Sequence, residues 1–127
     1  MPLARALVAE AIGTFALVFA GAGAVMVDAK THALGHVGVA ITFGLVIMAM
    51  IYAVGHISGA HFNGAVTFAF ALTRHFPWPR ALGYWLAQLV GALAAAGCCV
   101  APSGTSPTSG RPSPPARKGS RFCGSWS

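Results

Sequence analysis

Three apolar runs decide most of what this chain can become. Leu7 to Val27 is 21 residues with one charge, Glu10; Val37 to Val54 is 18 residues and Ala81 to Val100 is 20, both without a charge. At 1.5 Å per residue these are helices of roughly 27 to 32 Å, enough to cross a bilayer core. The chain is 56% hydrophobic and 8% charged, against about 25% charged in soluble domains. Small residues recur at helical spacing, first Ala9, Gly13, Ala16, Ala20 and Ala24, then Gly83, Ala87, Gly91 and Ala95. Such rows let helix backbones approach closely in lipid.

Between the second and third runs lies a stretch of another kind, Gly55-His56-Ile57-Ser58-Gly59-Ala60-His61-Phe62-Asn63-Gly64-Ala65-Val66-Thr67. It is too polar for a span and too apolar for an ordinary exposed loop. Two glycines four apart permit irregular backbone from Gly55 onward. Asn63 stands where a helix N-cap would stand. The apolar run that follows ends at Leu72, so a helix from Asn63 would be about 15 Å long, half a bilayer core. Irregular backbone at membrane depth persists only where protein buries it or where it lines a watery cavity. The stretch therefore reads as a re-entrant loop and half-helix over 55–73, the element of a pore or binding site. Beyond it, Pro77-Trp78-Pro79 interrupts the helical pattern, and Trp78 with Arg74 and Arg80 suits a membrane interface.

The formal net charge of +6 is unevenly spread. Arg111, Arg117, Lys118 and Arg121 hold half of the eight basic residues, and the first hundred residues carry Arg5, Lys30, Arg74 and Arg80 against Glu10 and Asp28. No basic stripe with interleaved aromatics runs through the apolar part, which argues against nucleic acid as a partner. Cys98, Cys99 and Cys123 have neither metal-ligand nor disulfide-framework spacing. His56 and His61 are joined by no carboxylate cluster, and no nucleophile–base set appears, which argues against an enzyme and calls for no metal or cofactor. The first run is too long for a signal-peptide core and reads as a retained span. Arg5, Arg74 and Arg80 would share one side with Lys30 on the other, which puts the N-terminus in the cytoplasm. From about Gly97 the sequence turns to Pro, Ser, Gly and Arg without apolar periodicity, and residues 101–127 read as disordered, either an out-of-frame tail on a truncated gene, which the abrupt loss of membrane character favours, or a genuine disordered tail.

Ser58-Gly59-Ala60-His61-Phe62-Asn63-Gly64-Ala65-Val66-Thr67 resembles the first signature loop of the aquaporin (major intrinsic protein) family, Ser-Gly-x-His-x-Asn-Pro-Ala-Val-Thr. Ala9-Glu10-Ala11-Ile12-Gly13-Thr14-Phe15 and Gly83-Tyr84-Trp85-Leu86-Ala87-Gln88 extend the likeness over residues 4 to 97, the N-terminal half of a channel similar to bacterial water channels. The proline of the motif is Gly64 here. Proline would preset φ at the first helical position; glycine adds an N–H and backbone freedom.

The resemblance implies an all-α membrane protein, with three transmembrane helices and one re-entrant half-helix forming half of an inverted-repeat fold. Residues 1–100 would be that unit, with spans at 7–27, 37–54 and 81–100. It implies a multi-pass protein of the cell membrane, passing water or a small neutral solute, and a homotetramer for an intact member. Carbonyls of Gly59, Ala60, His61 and Phe62 would form an acceptor ladder leading to the Asn63 amide, with the positive end of the half-helix repelling cations. Phe43 reads from sequence as a lipid- or core-facing ring; the resemblance implies a constriction wall. Glu10 reads as a group snorkelling to the interface or a buried acceptor for loop N–H groups, and the resemblance favours the second. Gln88, alone and polar in mid-span, reads as glue between helices. Residues 1–127 hold one half-helix, so a pore built from them alone would lack its opposite wall. The competing reading is a helical membrane protein without transport, its polar residues serving packing or partner binding.

Overall fold

A computed structural model describes residues 2–100 of the chain. The tail read as disordered and out of frame lies outside the described residues. Four helices follow in order: α1 (Leu3–Thr31), α2 (Gly35–Ser58), α3 (Gly64–Leu72) and α4 (Trp78–Val100). Among the described residues α1, α2 and α4 are long and apolar enough to cross a membrane, and α3 at nine residues is not. The expected three spans and one half-helix are present.

Helix α1 outruns its apolar run by about a turn at both ends, α2 by about a turn at its C-terminal end and α4 by about a turn at its N-terminal end. In α1 the extra turns carry Arg5 and Lys30 at the two ends, where long cationic side chains reach water. The α1–α2 turn is closed by Asp28, whose Oδ1 accepts from the N–H groups of Leu34 and Gly35 at 3.0 and 2.8 Å. Helix α2 continues through Gly55 to Ser58, so irregular backbone begins at Gly59 and not at Gly55. A lone glycine inside a long helix costs only about 1 kcal/mol, which the rest of α2 outweighs. Pro79, read as a helix stop, sits in the first turn of α4. Its missing N–H has no helical partner to lose there, and the Pro77 carbonyl accepts instead from Arg80 and Ala81.

Helix α1 is the middle member, packed on α2 along one side and on α4 along the other, while α3 lies against α4. Small residues make this possible. A Cβ on Gly91 of α4 would collide with the backbone carbonyl of Ala11 on α1, and one on Gly21 would enter the ring of Phe43 on α2. The buried row of α4 is Ala81, Tyr84, Gln88, Gly91 and Ala95. It joins the expected small-residue row only at Gly91 and Ala95; Gly83 and Ala87 are half-buried. The difference places two polar side chains, Tyr84 and Gln88, in the seam. Helix α2 buries Ser58 alone and leaves Val37, Ile41, Leu45, Met48, Ile51 and Tyr52 exposed. That surface suits lipid or further protein, not water.

Candidate functional site: a re-entrant loop held on a buried carboxylate

Helix α2 ends because Gly59 turns left-handed, with φ of 86°, and its N–H closes onto the Gly55 carbonyl at 2.8 Å. Ala60 and Phe62 are left-handed as well, at φ of 53° and 47°. Each such non-glycine residue costs on the order of 1–2 kcal/mol, so the surroundings must hold the loop in shape. Asn63 returns to extended backbone and caps α3, its Oδ1 accepting from the Ala65 N–H at 2.8 Å. That cap is worth about 1 kcal/mol.

Glu10 does most of the holding. It is fully buried on α1, and its carboxylate receives three donors: the His61 N–H at 2.9 Å on Oε1, and the Phe62 N–H at 2.7 Å and Gln88 Nε2 at 2.8 Å on Oε2. A charge in such a place persists only with donors of this kind. Gln88 spans three elements, since its Nε2 also donates to Thr67 Oγ1 of α3 at 3.1 Å. Its Oε1 is buried with no hydrogen-bond partner among the described residues. Thr67 Oγ1 donates to the Asn63 carbonyl and lies 3.1 Å from His61 Nδ1. The Phe62 ring, 2% exposed, occupies the space over Gly13 where a Cβ would stand. From α4, Trp85 Nε1 donates to the Gly64 carbonyl at 3.0 Å.

The outcome for the loop backbone is asymmetric. Every N–H from Gly59 to Phe62 is engaged, by Gly55, Ser58 Oγ and the two Glu10 oxygens. Among the described residues the carbonyls of Gly59, Ala60 and His61 receive no hydrogen bond. The Phe62 carbonyl, expected to share in the same ladder, accepts from Thr14 Oγ1 at 3.3 Å. The loop is thus a short strip of free acceptors whose donors are all turned into protein.

The remaining expected residues fall in two groups. Glu10, Gln88, His61, Phe62, Asn63 and Gly64 are brought together around the start of α3. Phe43 is not: its ring rests on Gly21 of α1, 39% exposed, and shares no ring pair or hydrogen bond with the loop among the described residues. The His61 ring is itself buried, stacked on Phe70 and tilted against Phe76 and Tyr84. Thr14, Ser58, Thr67, Tyr84 and Trp85 belong to the assembly as well, although the motifs that contain them assign them no role of their own. Each lies in or beside an apolar run, and a hydroxyl or indole there carries no signal of which way it points.

The model of the family described as major intrinsic protein matches residues 1–113. The chain belongs to the major intrinsic protein family. Among its relatives, aquaporin NIP1-1 of Oryza sativa subsp. japonica is 52% identical over 98 residues, 76% of this chain and 34% of that protein. Nodulin-26 of Glycine max is 47% identical over 98 residues, 76% of this chain and 36% of that protein. Aquaporin NIP1-4 of Oryza sativa subsp. japonica is 54% identical over 89 residues, 70% of this chain and 33% of that protein. The chain spans about a third of the length of these relatives. As a major intrinsic protein it is a multi-pass membrane protein of a channel family, not of an enzyme family.

Proposed function

We propose that residues 1–100 form one wall of a pore that passes water or a small neutral solute across a cell membrane. The strip of unfilled carbonyls at Gly59, Ala60 and His61 carries this reading. A permeant that donates hydrogen bonds would exchange some of its bonds to water for bonds to these oxygens. At the end of the strip, Asn63 caps α3 with its oxygen and keeps its amide N–H₂ group to donate to the permeant oxygen. The N-terminus of α3 adds a partial positive charge that opposes cations and protons. Phe43 lines the wall farther along α2. Glu10, Gln88 and Gly64 support the loop without touching the permeant. Arg5, Arg74 and Arg80 face the cytoplasm under the positive-inside tendency, and the working assembly is a homotetramer.

The described residues carry one half-helix and one acceptor strip, and by themselves they are expected to conduct no water above the lipid background. The test is a chimera in which residues 1–97 replace the matching segment of the rice aquaporin NIP1-1, reconstituted in liposomes and followed by stopped-flow light scattering. The chimera is expected to raise water permeability with a low activation energy, and Asn63→Leu to abolish the gain. A silent chimera beside a conducting rice control would favour a protein that uses these segments for packing alone, and an unaffected Asn63→Leu would remove Asn63 from the permeant's path.

A further inference from the structure

Glu10 secures the loop only from His61 onward. Its two oxygens take the N–H groups of His61 and Phe62, while Gly59 and Ala60, which hold two of the three free carbonyls, lie outside its reach. The Gly59 N–H closes onto the Gly55 carbonyl at 2.8 Å, and the hold on the oxygen of the same peptide comes from α4. Tyr84 Oη donates to the Ser58 carbonyl at 2.7 Å, and both residues are buried. That carbonyl is among the last four of α2 and has no intrahelical donor. Because the peptide unit is planar, pinning the Ser58 oxygen pins the plane of the Ser58–Gly59 bond and with it the direction in which Gly59 starts. On the far side of the pair, the Tyr84 ring lies 5.2 Å from the His61 ring and 4.8 Å from the Phe76 ring. One side chain therefore brackets the left-handed pair, by its hydroxyl before it and by its ring after it. Ser58 Oγ, accepting from the Ala60 N–H at 3.1 Å, relays the hold into the pair itself.

We propose that Tyr84 is a positioning residue: its hydroxyl, acting through the Ser58 carbonyl, aims the Gly59 and Ala60 carbonyls into the pore. The proposal rests on the pore reading above. It divides the loop between two clamps, with Glu10 setting His61 and Phe62 and Tyr84 setting Gly59 and Ala60. Removing the hydroxyl while keeping the ring leaves His61 and Phe76 packed and releases the Tyr84 clamp alone.

The test is solid-state NMR on the chimera described above, in which the loop faces an opposite wall, in lipid bilayers with 13C-labelled carbonyls and water-edited spectra; the chimera without further substitution is the parent. In the parent, water cross-peaks are expected at the Gly59 and Ala60 carbonyls, and a correlation is expected between the Tyr84 hydroxyl proton and the Ser58 carbonyl carbon. In Tyr84→Phe the water cross-peaks at Gly59 and Ala60 should fall at least twofold and their carbonyl shifts should move, while the His61 and Phe62 amide shifts stay in place. Absence of water contact in the parent would overturn the pore reading. A missing Tyr84–Ser58 correlation in the parent, which needs no variant, would overturn the proposal by itself. So would Tyr84→Phe spectra in which Gly59 and Ala60 are unchanged, or in which all four residues shift alike.

Discussion

Gln88 on α4 and Glu10 on α1 meet at 2.8 Å in the middle of the bundle, and the same Gln88 nitrogen also serves Thr67 on α3. Two spans and the half-helix are thus joined through one amide. The sense of each bond is fixed, because Glu10 is surrounded by donors only. Glu10→Gln would turn an N–H₂ group toward one of those donors. The expected loss is about 2–4 kcal/mol, from a lost acceptor plus an unpaired buried group. Unfolding followed by circular dichroism in detergent measures it. A loss below 1 kcal/mol would mean that the carboxylate is hydrated and not held as described.

Gln88→Leu is expected to be the milder change of the pair. It breaks two hydrogen bonds but also removes Oε1, which has no partner among the described residues. Replacing a half-satisfied amide by an apolar side chain of similar size recovers part of the loss, leaving roughly 1–2 kcal/mol. The same unfolding experiment should rank Glu10→Gln well below Gln88→Leu.

Gly64→Pro is expected to stabilise the chain. Asn63, at φ −149° and ψ 132°, already has the extended backbone that a residue before proline adopts. The Gly64 N–H donates no hydrogen bond among the described residues, and a Cβ there would meet Trp85 at an ordinary 3.5 Å. Glycine at this place therefore loosens the unfolded chain without serving the folded one. The gain should be about 0.4–1 kcal/mol, read as a higher unfolding midpoint.

Gly91→Val should be far more harmful than Gly44→Val. A Cβ at Gly91 runs into the Ala11 backbone, which cannot rotate away, whereas nothing stands within 4 Å of one at Gly44. Separating α1 from α4 also pulls Gln88 from Glu10. Loss of the folded state by gel filtration is expected for the first variant and near-parent behaviour for the second.

The spans were legible because a membrane helix needs only length and the absence of charge. Asn63 was legible because a capping side chain works on its own neighbours in sequence. The direction of each helix was not. An apolar span has no polar side to mark its interior, so the buried row on α4 could be drawn through Gly83 and Ala87 as readily as through Tyr84 and Gln88. Packing against the Ala11 carbonyl decides between them, and that contact joins residues eighty apart. The helix limits slipped for a related reason. Gly55 and Pro79 are helix breakers in isolation, but the first is carried by a long helix and the second stands where its missing N–H costs nothing.

The loop also has a history in time. Tyr84, Trp85 and Gln88, which fasten it, leave the ribosome after it does. Twenty-five residues separate Asn63 from Gln88, on the order of 1–5 s of synthesis. For that interval the nascent chain holds α1, with Glu10 ready, and a left-handed segment with half of its fastenings still unmade. The fastenings on Glu10 can form first, and those from Tyr84, Trp85 and Gln88 come only with α4, which makes insertion of the last span the step that completes the loop.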